Sequence, residues 1–211
     1  MISEKLQNAI NEQITAEMWS SNLYLSMSFY LKSQGFDGFA HWLKLQSQEE
    51  LQHAYDLADY IAKRGGVAKV DKVDVVPQGW GSILEVFEHV YNHECHVSEL
   101  IDNLVNVASE VKDKASQDFL WGYVREQVEE EATSQSIVDK LKHCTDQASL
   151  LYMDDKLGAR QYIYPLRACL NFALPQFEKG KLIKTTYRKI QTGSKRGLRN
   201  LKEFLRIFPE K

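Results

Sequence analysis

Four long stretches of the chain place apolar residues every three or four positions, the period of a helix with one buried face. In the first, residues 3–33, the stripe runs through Ile10, Ile14, Glu17, Ser21, Tyr24, Ser28 and Leu31, and residues 3–32 hold neither Pro nor Gly. A break at Gly35-Phe36-Asp37-Gly38 leads into a second predicted helix, 38–64, with Phe39, Trp42, Gln46, Glu50, His53, Leu57 and Tyr60 on its inner face. So short a turn makes the two antiparallel. Residues 65–81 carry Val75-Val76-Pro77 and Gly79-Trp80-Gly81 and are expected to be extended. About seventeen extended residues at roughly 3.3 Å each span a helix of about 27 residues rising about 1.5 Å per residue. The third helix, 82–109, is therefore expected to start level with the second and lie parallel to it. Ser82 and Glu85 spell a capping box at its start, and its stripe is Phe87, Tyr91, Glu94, Val97, Ile101, Leu104 and Ala108. The fourth, 116–143, shows Phe119, Tyr123, Glu126, Glu130, Thr133, Ile137 and Leu141, and a short fifth follows over 147–157 before Gly158.

Two antiparallel pairs joined by one long crossover define an all-α fold, the ferritin-like four-helix bundle, rather than the simple up-down-up-down arrangement. The helix midpoints fall near residues 18, 51, 95 and 129, beside Glu17, Glu50, Glu94 and Glu130. Glu50 and His53, three apart, share one helix face. Four inward carboxylates and an imidazole at one level are too costly to bury as bare charges, so something positive must sit among them. Hard carboxylates with a single imidazole suit two first-row divalent ions, and iron(II) is the usual occupant inside a bundle. In the run Glu129-Glu130-Glu131 one residue points fully inward, read here as Glu130. Glu126 on the same stripe, Glu129 on its flank and Glu49 then make a second carboxylate cluster beside the first. Tyr24, seven residues after Glu17, is a core aromatic that beside a metal pair can also supply an electron. His41, His89, His93, His96 and His143 have no partners in register and are assigned to surface or packing.

Composition adds a few exclusions. A hydrophobic share of 44% supports an ordinary core. Three cysteines without C-x-x-C spacing argue against a disulfide framework or a zinc ribbon. The start of the chain does not read as a secretory signal and no apolar run approaches bilayer length, so a cytoplasmic protein is expected. Charge is uneven: residues 1–160 hold 14 Lys and Arg against 26 Asp and Glu, a net of −12, and residues 161–211 hold 12 against 3, a net of +9. The chain divides accordingly into a bundle domain, 1–158, and a basic extension, 159–211, expected to be partly disordered or amphipathic helical and dispensable for folding. In the extension Leu198, Leu201, Phe204, Leu205 and Phe208 recur opposite Lys195, Arg196, Arg199, Lys202 and Arg206, between breaks such as Pro165, Pro175 and Gly193. Such a cationic stripe suits an anionic membrane surface, nucleic acid or an acidic protein face.

Residues 1–158 resemble the prokaryotic non-haem ferritins. The resemblance rests on E-M-W-S-S-N-L-Y-L at 17–25, E-E-L-Q-H at 49–53, Glu94, and E-Q-V-E-E-E at 126–131. It implies that Glu17, Glu50 and His53 hold a first iron, and Glu50, Glu94 and Glu130 a second, with Gln127 close by. Glu49, Glu126, Glu129 and Glu130 would form a third, inward-leading iron site. It further implies a hollow homo-oligomer of 24 subunits that oxidises iron(II) with dioxygen or hydrogen peroxide and stores the ferric product as mineral. Leu51 stands where the similar bacterioferritins have the Met that ligates haem, so no haem is expected. One departure is local: Gly122 occupies the place of a Trp, and Trp121, one residue earlier, is rotated by about 100°. Gly122 should also weaken its helix by about 1 kcal/mol relative to Ala.

Two other functions compete. A rubrerythrin-type di-iron peroxidase would need Glu-x-x-His on two helices, whereas the fourth helix reads Gln127-x-x-Glu130, and rubredoxin cysteines are missing. A position with fewer nitrogen ligands should hold iron less firmly, which suits transit over a resident cofactor. A nucleic-acid-binding shell protein would use the basic extension as its contact surface.

Overall fold

In the computed structural model, which describes residues 1–161, the helices are α1 (Glu4–Ser33), α2 (Asp37–Lys63), α3 (Ile83–Glu110), α4 (Lys114–Lys142) and α5 (Gln147–Gly158). The cationic stripe expected at 195–208 lies outside the described residues. Local chemistry explains the boundaries. Ser3 and Ser82 accept from the backbone amides of Leu6 and Glu85, and Glu85 returns the bond to Ser82, so the expected capping box is present. Asp113 caps α4 through Ser116. The N-terminus of α2 has no side-chain cap of its own; Asp154 of α5 accepts from the Phe39 amide at 2.8 Å instead. The two elements touch there because Gly38 has no side chain: a Cβ at that position would lie 1.8 Å from the Asp154 carbonyl oxygen.

Direction follows from the bonds along the crossover. Ile2 donates to the Arg64 carbonyl at 3.1 Å, which ties the start of α1 to the end of α2. From there the extended segment runs up α1. Gln7 and Asn11 bind the backbone of Val67 and Lys69, Trp19 donates to the Val75 carbonyl, Ser26 to Pro77, and Tyr30 to Gly81 at 2.8 Å. The crossover therefore ends beside the start of α2, and α3 lies parallel to α2, as its length predicted. At the far end Arg64 binds Asp113 and Ser116, pinning α2 to the α3–α4 turn.

The core is divided. One apolar cluster, including Leu23, Met27, Phe39, Leu43, Phe87 and Val90, fills one end of the bundle. A second, with Leu6, Ile10, Leu57, Ile61, Ile101 and Leu104, fills the other. Each fully buried side chain of this size contributes roughly 1.5–3 kcal/mol, which offsets a polar layer between them. Glu17, Gln46, Glu50, Glu94 and Gln127 are buried in that layer.

The α4 face differs from the sequence expectation. Its inner line runs through Tyr123, Gln127, Ser134 and Ile137, while Glu126 and Thr133 are exposed. Three-residue and four-residue steps both preserve a helical stripe, and the pattern alone had placed the four-residue steps one residue off.

Candidate metal centre

Glu17 on α1 and Glu50 and His53 on α2 each direct a ligand atom into one space, all within 4.8 Å of one another. His53 Nδ1 lies 3.4 Å from Glu50 Oε2, and its Nε2 lies 3.3 Å from Glu126 Oε1. The ring sits edge-on to Tyr123. Glu17 Oε1 accepts from Gln13 Nε2 at 2.9 Å, but its Oε2 is buried without any hydrogen-bond partner. A lone carboxylate oxygen stripped of water is costly, and either a bound proton or a metal cation relieves it. The donor set, two carboxylates and an imidazole, fits a first-row divalent ion.

Glu94 and Glu130 border the same layer but are held by other partners. Tyr24 donates its hydroxyl to Glu94 Oε1, and Gln127 Nε2 donates to Glu94 Oε2 at 3.2 Å. Gln46 Nε2 reaches Glu130 Oε2 at 2.9 Å and Glu50 Oε1 at 3.5 Å. Of the second cluster, Glu49 pairs with Arg160, Glu126 meets His53, and Glu129 is exposed. Glu131, beside Glu130, accepts from Ser98 on α3.

Electrostatics mark the layer as poised for positive charge. Burial, and then the Glu50 carboxylate, push Glu17 up from the ordinary 4.5 to about 8. Burial likewise lifts Glu94 to about 7, against the bonds from Tyr24 and Gln127 and with the help of Glu130. Glu50, Glu49 and Glu130 are raised as well, burial leading in each. For His53 burial works against charge, but Glu126, Glu50 and Glu17 outweigh it and hold the imidazole well above its usual value. Burial and the neighbouring Glu94 keep Tyr24 protonated well above the normal phenol range. His93 is a packing residue, as expected: it lies between Trp19 and Tyr24, contacts Ser20 Oγ at 2.8 Å, and burial lowers it to about 4.

Three polar residues at the site have no role in the sequence reading. Gln13 and Gln46 each stand four residues before a site glutamate, a spacing that puts amide and carboxylate in reach, so this signal was present. Arg160 carried none. It comes from beyond α5, and only the folded chain brings it to α2.

The fold and this centre define a ferritin-like protein. Residues 7–144 match the family described as Ferritin-like domain. The chain is 71% identical over 160 residues to a bacterial non-heme ferritin of Bacteroides fragilis, covering 76% of this chain and all of that protein. A bacterial non-heme ferritin of Campylobacter jejuni is 36% identical over 156 residues, 74% of this chain and 93% of its own length. Among solved structures, an open-pore ferritin from Archaeoglobus fulgidus superposes with a TM-score of 0.75 at 47% identity, covering 76% of this chain and all of that one. The chain belongs to the bacterial non-haem ferritins, an iron-storage family.

Proposed function

We propose that the chain is a ferroxidase subunit that oxidises iron(II) within the bundle and passes the ferric product to a mineral store. The observation that carries this reading is the buried Glu17, Glu50 and His53 constellation with an unpartnered carboxylate oxygen. In the proposed arrangement Glu17, Glu50 and His53 take one iron, and Glu50, Glu94 and Glu130 take its neighbour after exchanging their present hydrogen bonds for metal. Glu50, central to both sets, is the bridging ligand. Each iron(II) gives one electron; two electrons and two protons reduce dioxygen to hydrogen peroxide, or hydrogen peroxide to two waters. Tyr24, whose hydroxyl donates to Glu94 in the metal-free chain, can stand in for one iron as the source of one of these electrons, its hydroxyl proton then serving as one of the two protons and a neutral tyrosyl radical remaining. Gln127 in place of a second histidine leaves the second iron with oxygen donors, which favours release of the product.

Glu49, Glu126, Glu129 and Glu130 are proposed as the third cation site on the way out, and 24 copies as the shell that holds the mineral. Stopped-flow oxidation of iron(II), added anaerobically at two ions per subunit and then exposed to dioxygen, tests the paired site. Glu50→Ala should abolish the fast phase while helix content and particle size persist, since the substitution removes a buried like charge. An unchanged fast phase in that variant would refute the assignment. Electron microscopy of the iron-loaded protein tests storage, a hollow sphere with a dense core being the expected image.

A further inference from the structure

Arg160 lies two residues past the end of α5, yet its side chain is three-quarters buried against α2. Its Nη2 pairs with Glu49, its Nη1 donates to Gln46 Oε1 at 2.8 Å and to the Trp42 carbonyl at 3.4 Å, and the guanidinium stands 4.6 Å from the centre of the Trp42 ring. Its own carbonyl contacts His41 Nε2 at 2.9 Å, so backbone and side chain are both fastened. A guanidinium only donates, and this constrains its neighbour. The Gln46 amide must turn its oxygen to Arg160, which leaves its NH2 to face Glu130 Oε2 at 2.9 Å and Glu50 Oε1 at 3.5 Å. One carboxylate oxygen of Glu49 and one of Glu130 are thus occupied, the first directly by a cation and the second by an amide that the cation orients.

We propose that Arg160 is a positioning residue serving as an internal cation at the second carboxylate cluster: it withholds Glu49 and, through Gln46, Glu130 from metal, so a third ion binds there only by displacing the guanidinium. The proposal rests on the reading of Glu49, Glu126, Glu129 and Glu130 as a cation site. It gives the cluster a built-in reason to be the weaker and later site. An ion arriving from the paired site must exchange with a charge already present, and the guanidinium, returning, would help to expel it.

Calorimetric titration of the full metal-free chain with zinc(II), which is redox-silent, tests this. Wild type should show two tighter ions per subunit and a weaker third. Arg160→Gln should tighten the third step by on the order of tenfold, about 1.4 kcal/mol, while the first step, at Glu17, Glu50 and His53, which the guanidinium does not touch, stays unchanged. Arg160→Lys, which keeps a charge able to pair with Glu49, should stay near wild type. Displacement has its own signature: the third equivalent should alter tryptophan fluorescence in wild type, and Trp42→Phe should remove that change. A third step unchanged or weakened in Arg160→Gln overturns the proposal while leaving the cluster intact. If neither protein binds a third ion although two bind, the cluster reading itself fails and the proposal with it. If Arg160→Gln does not assemble, the Trp42 fluorescence response to the third ion in wild type decides, and its absence counts against displacement.

Discussion

Replacing Glu17 by Gln keeps the shape of the side chain and its bond from Gln13 but removes a charge that burial has made hard to form. In the metal-free protein Glu17 titrates at about 8 and Glu94 at about 7, and His53 stays protonated well above its usual value. At about pH 6 the paired site therefore holds nearly one proton on each of these three groups, and ligands must shed them to bind metal. Filling the site with zinc(II) should release about two protons per subunit more at about pH 6 than at about pH 9, those of Glu17 and Glu94, which are ionised at the higher pH. Glu17→Gln should release about one proton fewer at the lower pH and the same number at the higher. Calorimetry in two buffers of different ionisation enthalpy measures this directly, and it does not require reversible unfolding. Equal release by wild type and Glu17→Gln at the lower pH would refute the account, because the proton would then reside elsewhere. Release of no more than about one proton by wild type at the lower pH, the share of His53 alone, would refute the claim that burial raises these carboxyls at all.

Stability should show the same groups with the opposite sign from an ordinary salt-bridged acid. A carboxyl raised from 4.5 to about 8 binds its proton more tightly in the folded state, so its contribution is complete below the unfolded value and is lost as pH rises through the folded one. The metal-free protein should therefore melt lower at about pH 9 than at about pH 6, with zinc(II) restoring the loss, and a flat or rising melting temperature would contradict it. Glu129, exposed on α4, should be replaceable by Ala without loss of the first oxidation phase while later turnover or stoichiometry changes; disappearance of the first phase would reverse the order of the sites. Two glycines should respond in opposite directions. A Cβ on Gly122 meets nothing within 4 Å, so Gly122→Ala should stabilise the subunit by about 1 kcal/mol. Gly38→Ala should destabilise it by roughly 1–3 kcal/mol or more, since its Cβ falls 1.8 Å from the Asp154 carbonyl oxygen. Denaturant melts of the two variants read both.

Much of this protein is determined by local pattern alone. Helical spacing, the Ser82–Glu85 capping box and the length of the segment after α2 are enough to set four helices and the parallel α2–α3 relation, because each depends on neighbouring residues or chain reach. Equal helix lengths likewise bring Glu17, Glu50 and Glu94 to one level, and the i, i+3 rule joins His53 to them. Tertiary structure decided what those groups do to one another. Only packing shows that Glu17 Oε2 has no partner, that Gln127 rather than Glu126 lies deep in the polar layer, and that Tyr24 donates its hydroxyl to Glu94. Arg160 is the clearest case: it stands 111 positions from Glu49, with no periodic relation to it. Its place is set by α5 docking on α2, where Gly38 lets the backbones meet and Asp154 caps the helix, and such a contact depends on three-dimensional fit that spacing along the chain does not encode.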